Sequence, residues 1–569
     1  MAKWIFKENY ESVEVDDLNI HPVVAKILSS RGILKKDEIE KFILPNYERD
    51  TYDPFLFVDM EKAVARIEKA ALEKEKVAIF GDYDADGVTS SAILKETFDS
   101  LGIDSIVYIP NKHNEGYGMN SKAVELLKEK GVSLIVTVDC GITSIKEVDK
   151  ASTLAIDVII TDHHHVPEEI PKAFAIINPQ MKNSGYPFAN LAGVGVAFKF
   201  SQGIYKKLMP EKFEQTKWML DLVAIGTIAD CVPLIDENRL FAKYGLIVLS
   251  KTKRLGLKEI FAVGRIDINE GNIPDTKKVS FYIAPRINAA GRVNHADLAY
   301  KLISATNVLQ AREFALELEQ NNSDRQKMTE TITNEVKLLA KSMFKDKKFI
   351  FAFGEHFPIG IVGLVAGKIA QQENKPTAIF QKGEGESKGS FRSIPQINII
   401  ETIEKCKDLL IKFGGHSQAA GVSIKNDKVD VFFQKMDYLI EQQLQGVDLV
   451  EEVLIDFELS SEEIGFPLTD SLKRMEPYGE GNKEPIFLIK GMRIVEKRLV
   501  GSTAKHVKFT LAPVDSGPKL FDSISFNGAE KFSFLKVDDI VELVCTIKDD
   551  EWNGNKKVQL SLIDARVIV

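Results

Sequence analysis

VAIFGDYDADGVTS, residues Val77–Ser90, decides the fold class of this chain. Four apolar residues, Val77–Phe80, read as a buried strand; Gly81 and Gly87 then punctuate a turn crowded with Asp82, Asp84 and Asp86. From Val88 to about Leu101 apolar residues return at helical spacing. The pattern recurs downstream. LIVTVDCG (Leu134–Gly141) sets Asp139 behind an apolar strand, and IDVIITDHHH (Ile156–His165) sets Asp162 and three histidines behind another. LVAIGTIADCVPL (Leu222–Leu234) adds Asp230, which the packed-helix character of the segment puts at a helix end. Open α/β sheets gather their sites at such strand ends. Three carboxylates crowd one short loop only when cations offset their repulsion. The first reading is a two-metal hydrolase.

Bulk properties bound that reading. A chain of 569 residues exceeds one ordinary domain, so three or four units are expected. Its 44% apolar and 28% charged content is that of a globular protein. The four cysteines fit neither a disulfide scaffold nor a CxxC zinc site; Cys140 and Cys231 read as packing residues. No run approaches the roughly 18 apolar residues of a membrane span, and no leader-like segment opens the chain, so no membrane and a cytoplasmic location are expected. The net charge of −9 argues weakly against a nucleic-acid substrate, because cations would offset the acidic site and a basic groove can coexist with an acidic exterior.

The predicted architecture is α/β and multidomain. Residues 1–50 read as a small helical lead-in, and 51–300 as a catalytic domain whose strands VAIF, SIVYIP, LIVTVD, DVIITD and AFAIINP alternate with helices to form a parallel sheet. A connecting region at 301–345 carries a long charge-studded helix. A smaller α/β domain fills 346–445. Short strands at 446–569 predict a closed β-barrel domain, with DEWNGNKK as a hairpin turn.

Two divalent ions about 3.5–4 Å apart can stabilise phosphoryl oxygens, activate water and accommodate a leaving oxygen. Asp139 or Asp230 could bridge them, and His163 offers an imidazole nitrogen. If the segment is extended, His164 points away from His163, toward water or the scissile phosphate. Oxygen and imidazole donors suit manganese or magnesium. A lone DxD is more often a turn or cap, and a lone HH pair is as weak; three such motifs behind three strands leave little room for a purely structural account. The separation of the motifs excludes a single EF-hand loop.

Taken together, GDYDADG, VDCG, TDHH and IADCVPL resemble the successive motifs of the DHH phosphoesterase family, and RINAAGR and FGGHSQAAG sharpen the resemblance to its bacterial RecJ single-strand-specific exonucleases. The resemblance covers most of the chain. It implies a DHH catalytic lobe, a DHHA1-type lobe and an OB-like domain. It also implies that Asp84, Asp139, His163 and Asp230 carry metals, with Asp82 and Asp86 as direct or supporting ligands and His164 as phosphate positioner. Two Mn2+ ions (Mg2+ being possible), a single-stranded DNA substrate and release of mononucleotides from its 5′ end follow, as do a RecQ-like helicase and a single-strand-binding protein as partners in recombination and repair. A monomer is expected.

For the strand itself, Arg286 and Arg292 bracket NAAG and are read as two guanidinium groups on either side of a tight loop; the resemblance implies that this segment contacts the strand, with Arg286 the closer to DNA. Either could instead pin a carboxylate. SFRS and GGHS offer Ser, Arg and His donors beside glycines that let backbone approach phosphate, although each motif alone is more often structural; the resemblance implies that Ser390, Arg392 and His416 bind the terminal phosphate. Lys112 stands where relatives commonly present Arg, keeping the charge but losing the planar fork. In the β domain, Phe509, Phe526 and Trp552 are stacking candidates, and Lys497, Arg498, Lys505 and Lys508 a candidate backbone track. Rival readings are a DHH phosphodiesterase for cyclic dinucleotides or very short RNA, and an inactive replication scaffold.

Overall fold

The computed structural model describes all residues except 1, 8–9, 11–15, 112–114, 116–117, 294–295, 516–518, 553–554 and 569. The chain divides into two compact units, one of residues 54–230 with 245–450, the other of 1–53 with 231–244 and 451–569. Among the described residues no helix is long and apolar enough to cross a membrane.

The first unit contains two sheets. Strands β1 (Lys76–Gly81), β2 (Ser105–Tyr108), β3 (Val132–Val138), β4 (Asp157–Thr161) and β5 (Ala175–Ile177) form an all-parallel sheet in the order β2-β1-β3-β4-β5. Their near-continuous Val/Ile runs are buried, as in a sheet covered on both faces. Successive strands are added to one side of β1 and then to the other, so the carboxyl ends of β1 and β3 flank the crevice where such sheets bind ligands. Helices α1 (Ala85–Ser100), α2 (Gly193–Leu208) and α3 (Leu220–Ala229) belong to this lobe. Next comes α4 (Ala284–Val293), preceded by a π-helical turn at Val279–Ile283, and then α5 (Val308–Met343), the expected long helix, of 36 residues.

RINAAGR is therefore helical. Arg286 and Arg292 do not flank a loop; they lie six residues apart on α4, about 9 Å along its axis and on different faces. No Pro or strong turn signal follows Pro285, so the helix runs through NAAG, and Gly291 serves close packing: a Cβ there would lie 2.8 Å from the Tyr83 carbonyl oxygen.

The smaller lobe of this unit has strands β6 (Ile350–Gly354), β7 (Thr377–Lys382), β8 (Glu386–Arg392), β9 (Leu410–His416) and β10 (Ala419–Lys425), in the order β9-β10-β8-β7-β6. Only β6 and β7 run parallel, joined through helix α6 (Ile359–Glu373).

The second unit is built on a closed barrel. Its sheet runs Phe457–Leu459, Phe487–Val500, His506–Pro513, Phe521–Ser525, Asn555–Val567 and Ile540–Trp552, and closes by pairing Phe487–Val500 with Ile540–Trp552. The strands flanking DEWNGNKK pair down to Trp552 opposite Asn555, the hairpin read from the sequence. The N-terminal helices share the barrel's core: Val24, Ile27, Leu28 and Ile39 pack in one cluster with Leu468, Phe487, Ile489 and Phe509. Lys3–Phe6 adds a parallel strand to Glu452–Ile455.

Arg239 pins this unit together. Its buried guanidinium donates to the carbonyls of Phe42, Arg474, Met475, Glu476 and Pro477 at 2.8–3.3 Å and lies 4.0 Å from the Phe42 ring centroid. Burial pushes its pKa down to about 9, yet the carbonyl cage gives every donor an acceptor. Arg239→Met removes all of these hydrogen bonds, with Asn482 still donating to the Met475 and Pro477 carbonyls. We expect it to lower stability by about 3 kcal/mol, read as a lower urea midpoint at unchanged denaturant slope.

Candidate metal centre

The acidic residues are held by several elements. Asp82 follows β1 directly. Asp84 caps α1, its Oδ1 accepting from the N–H groups of Asp86 (2.9 Å) and Gly87 (3.2 Å). Asp86 lies in the first turn of α1 and accepts from Gly193 N and Val194 N, both at 2.8 Å, at the start of α2. A carboxylate at a helix N-terminus takes up orphan N–H groups and meets the favourable end of the helix dipole. Asp139 follows β3 with φ +59°, a left-handed conformation that Asp tolerates better than most residues. Gly193 lets it approach α2: a Cβ there would lie 2.6 Å from Asp139 Oδ1. Asp230 C-caps α3, as its sequence context implied.

These groups converge. His163 Nε2 lies 3.1 Å from Asp139 Oδ1, 3.6 Å from Asp230 Oδ2 and 3.8 Å from Asp86 Oδ2. That nitrogen is fully buried and makes no hydrogen bond among the described residues. Asp82, Asp84 and Asp139 form a second cluster, and Asp139, His163 and His164 a third, each with its ligand atoms within 4.8 Å of one another. With Asp86, His163 and Asp230 as the first cluster, all six residues expected to hold metals fall in one site, and Asp139 and His163 are each common to two clusters. A buried imidazole nitrogen facing three carboxylate oxygens without a hydrogen bond is the donor set of a hard divalent cation. Burial, then the charge of His164, pushes the His163 pKa down to about 4, so its ring is neutral near pH 7 and has a lone pair to give.

The same crowding drives the carboxylates the other way. Asp86 and Asp139 are held well above the usual carboxylate range by burial first and by neighbouring carboxylates second. Burial and Asp84 push Asp230 up to about 7.

His164 differs from its neighbour. Burial lowers its pKa, but the Asp162 partner, with Asp230 and Asp82, outweighs that and raises it to about 9. Its Nδ1 lies 2.8 Å from Asp162 Oδ1. Asp162 is in turn fixed by the N–H groups of Ile142, His163 and His164 at 2.7–3.1 Å. In TDHH, Asp162 holds the same post-strand position as Asp139, the one signal in the sequence that could have given it this task. Asn288 was likewise unassigned within RINAAGR, and its Oδ1 accepts from Ala85 N at 2.7 Å, bracing the start of α1.

The cationic side is less uniform. Arg286 is buried and ion-paired with Glu319 of α5, with Nε and Nη2 on the two carboxylate oxygens at 2.5 and 3.1 Å, the carboxylate-pinning alternative. Arg292 faces Asp84 and Tyr83 and donates to Gly360 O at 3.2 Å. Across the same crevice, Arg392 Nη1 lies 3.0 Å from Ser390 Oγ. His416 is exposed and pairs with Ala419, which pairs with Arg392, so these two occupy one cross-strand row. Lys112 lies outside the described residues. In the barrel unit, Phe509 is core and Phe526 is 63% exposed, while the side chain of Trp552 lies outside the described residues. Lys497 is committed to the Phe532, Ser533 and Leu535 carbonyls, and Arg498 pairs with Glu496, so neither is a free backbone track.

Residues 76–227 match the N-terminal domain of the DHH family, 346–442 the DHHA1 domain and 455–564 the RecJ OB domain. A single-stranded-DNA-specific exonuclease RecJ of Bacillus subtilis (strain 168) is 37% identical over 554 residues, spanning 97% of this chain and 69% of that protein. The chain belongs to the RecJ family of DHH proteins. RecJ from Thermus thermophilus in complex with Mn2+ superposes with TM-score 0.83 at 26% identity, over 99% of this chain and 79% of that one. Its Mg2+ complex superposes with TM-score 0.76 at 25% identity, over 99% and 78%.

A RecJ-type acidic centre stripped of cations should be least stable when ionised. Asp230, raised in the folded state, contributes stability below its unfolded pKa of 3.8 that is lost as pH rises through about 7. With EDTA present, Asp230→Asn should therefore gain melting temperature over the parent progressively from about pH 4 to 7 and level off above. Millimolar MnCl2 should abolish that gain. A pH-independent difference would refute the repulsion.

Proposed function

We propose that this chain is a metal-dependent exonuclease that degrades single-stranded DNA from the 5′ end to mononucleotides, using two Mn2+ ions with Mg2+ as an alternative. The observation that carries this reading is His163 Nε2 facing Asp86, Asp139 and Asp230 within 3.8 Å. The relatives' activity as single-stranded-DNA-specific exonucleases and the metal complexes of their structures support it.

Asp82, Asp84, Asp86, Asp139, His163 and Asp230 would hold the ions, with Asp139 shared between them. Such ions neutralise phosphate oxygens and acidify an attacking water. His164, kept cationic by Asp162 and 41% exposed at its side chain, presents an N–H to the phosphate as charge builds on it. Arg292, Ser390, Arg392 and His416 would bind the terminal phosphate; a site that holds a chain end and leaves no room for a further nucleotide gives exonuclease polarity. Arg286, tied to Glu319, supports α4 more directly than it meets DNA. The barrel domain is a further platform for single-stranded DNA, with Phe526 among its exposed aromatics. A helicase of RecQ type and a single-strand-binding protein are the partners this role calls for, with the enzyme acting as a cytoplasmic monomer.

With 5′-labelled single-stranded DNA and manganese, we expect labelled mononucleotide from the first turnover, and none with Asp139→Ala. With 3′-labelled DNA, a shortening ladder should appear instead. Rapid cleavage of dinucleotides with long strands left intact would reassign the chain to short-substrate phosphodiesterases. His164→Ala should keep manganese binding, counted by electron paramagnetic resonance, while losing about 100-fold in kcat.

A further inference from the structure

The long helix α5 carries an arginine that the preceding reading does not use. Glu319 of α5 meets Arg286 of α4. Six residues on along α5 is Arg325, and six residues on along α4 is Arg292, each about 9 Å further along its axis. Past this ion pair, the charges nearest Arg325 are of like sign. Arg325 is half-buried, and the charges close enough to shift its pKa downward, after burial, are Arg292 and Arg286. Arg392 is lowered by burial and by Arg292.

Arg325 has few uses for its donors. Nη2 binds Asn322 Oδ1 at 2.9 Å. Nε is fully buried and has no acceptor among the described residues. Buried donors are rarely left so, because each costs about 1–3 kcal/mol. None of Arg292, Arg325 and Arg392 forms a salt bridge with a carboxylate among the described residues, in contrast to Arg286.

The start of α6 lies against the same group. A Cβ on Gly360 would lie 2.3 Å from the Arg292 carbonyl oxygen, and one on Gly363 would lie 3.1 Å from Ser390 Oγ and 3.3 Å from Arg392 Nη2. Gly360 lets the Arg292 backbone pack on the first turn of this 15-residue helix, and Gly363, one turn on, leaves room for the Ser390 and Arg392 side chains; orphan N–H groups at a helix start favour an anion. Guanidinium groups of α4 and β8 lie against the start of α6, and α5 adds Arg325, whose nearest charges are Arg292 and Arg286; with no carboxylate paired to the three among the described residues, such groups suit a doubly hydrogen-bonded anion.

We propose that Arg325 is a phosphate-binding residue that, together with Arg292 and Arg392, receives one phosphate of the bound strand. The inference rests on the single-stranded-DNA reading above and adds a ligand from the connecting helix to it. It makes α5 part of the substrate site as well as the link between its two lobes.

The test measures affinity for oligo(dT) bearing a 5′-phosphate or a 5′-hydroxyl, across a salt series, in the non-cleaving Asp139→Ala background. Arg325→Met and Arg325→Lys are compared with that parent. We expect Arg325→Met to weaken binding about tenfold or more. It should also reduce the slope of log affinity against log salt by about 0.7, the share of one single-strand phosphate. Arg325→Lys should keep the slope and recover part of the affinity. A loss confined to the 5′-phosphorylated strand assigns the terminal phosphate; an equal loss on both assigns an internal one. Unchanged affinity and slope in folded Arg325→Met overturn the proposal. Melting temperatures with and without inorganic phosphate separate the two readings. If the parent binds no DNA, the exonuclease reading falls, and a phosphate-induced rise present in the parent but lost in Arg325→Met still upholds the anion site, whereas an equal rise in both overturns it.

Discussion

Everything around the crevice answers to one constraint: several carboxylates share a space from which water is largely excluded. Without compensation their repulsion would open the fold. Two devices manage it. Helix α2 directs the N–H groups of Gly193 and Val194 at Asp86, and α1 folds its first turn around Asp84. The remaining charge is left for cations. His163, neutral through burial, completes the donor set instead of cancelling it, while its neighbour His164 is held cationic by Asp162. Adjacent imidazoles thus occupy opposite protonation states because burial and the charge of His164 disfavour the proton on one, while a fixed carboxylate holds it on the other.

The acidic half of this arrangement was legible in the sequence because each residue follows an apolar run. In a parallel sheet, that position is itself an address: the strand ends converge, so Asp82–Asp86, Asp139 and His163 must share one edge. Asp230 was harder, since it ends a helix; its place in the site depends on how α3 packs, which periodicity does not encode. The role of Asp162 was hidden for a different reason. A carboxylate that binds metal and one that binds a histidine look alike in sequence.

The cationic half was poorly legible. Asn-Ala-Ala-Gly between two arginines suggested a turn, yet alanine favours helix and tertiary packing on Tyr83 accommodates the glycine. Once the segment is helical, the two arginines face different surroundings, and only the structure shows that Glu319, 33 residues away, claims Arg286. Much the same holds for the N-terminal segment. About 50 residues with short amphipathic helices cannot bury enough apolar surface alone, and Ile27, Leu28 and Ile39 are buried against barrel residues more than 400 positions later.

That pairing of Lys3–Phe6 with Glu452–Ile455 has a bearing on how the protein is made. At about 5–20 residues per second, a ribosome needs roughly 20–90 s to travel from one strand to the other. During that interval the first helices are outside the exit tunnel with their apolar faces uncovered. Closing a loop of this length adds only a slowly growing entropic penalty, so the delay set by synthesis, and not the final equilibrium, is the vulnerable step. The early segment is where a nascent-chain chaperone would be most useful, and slowing translation before the barrel would lengthen its exposure.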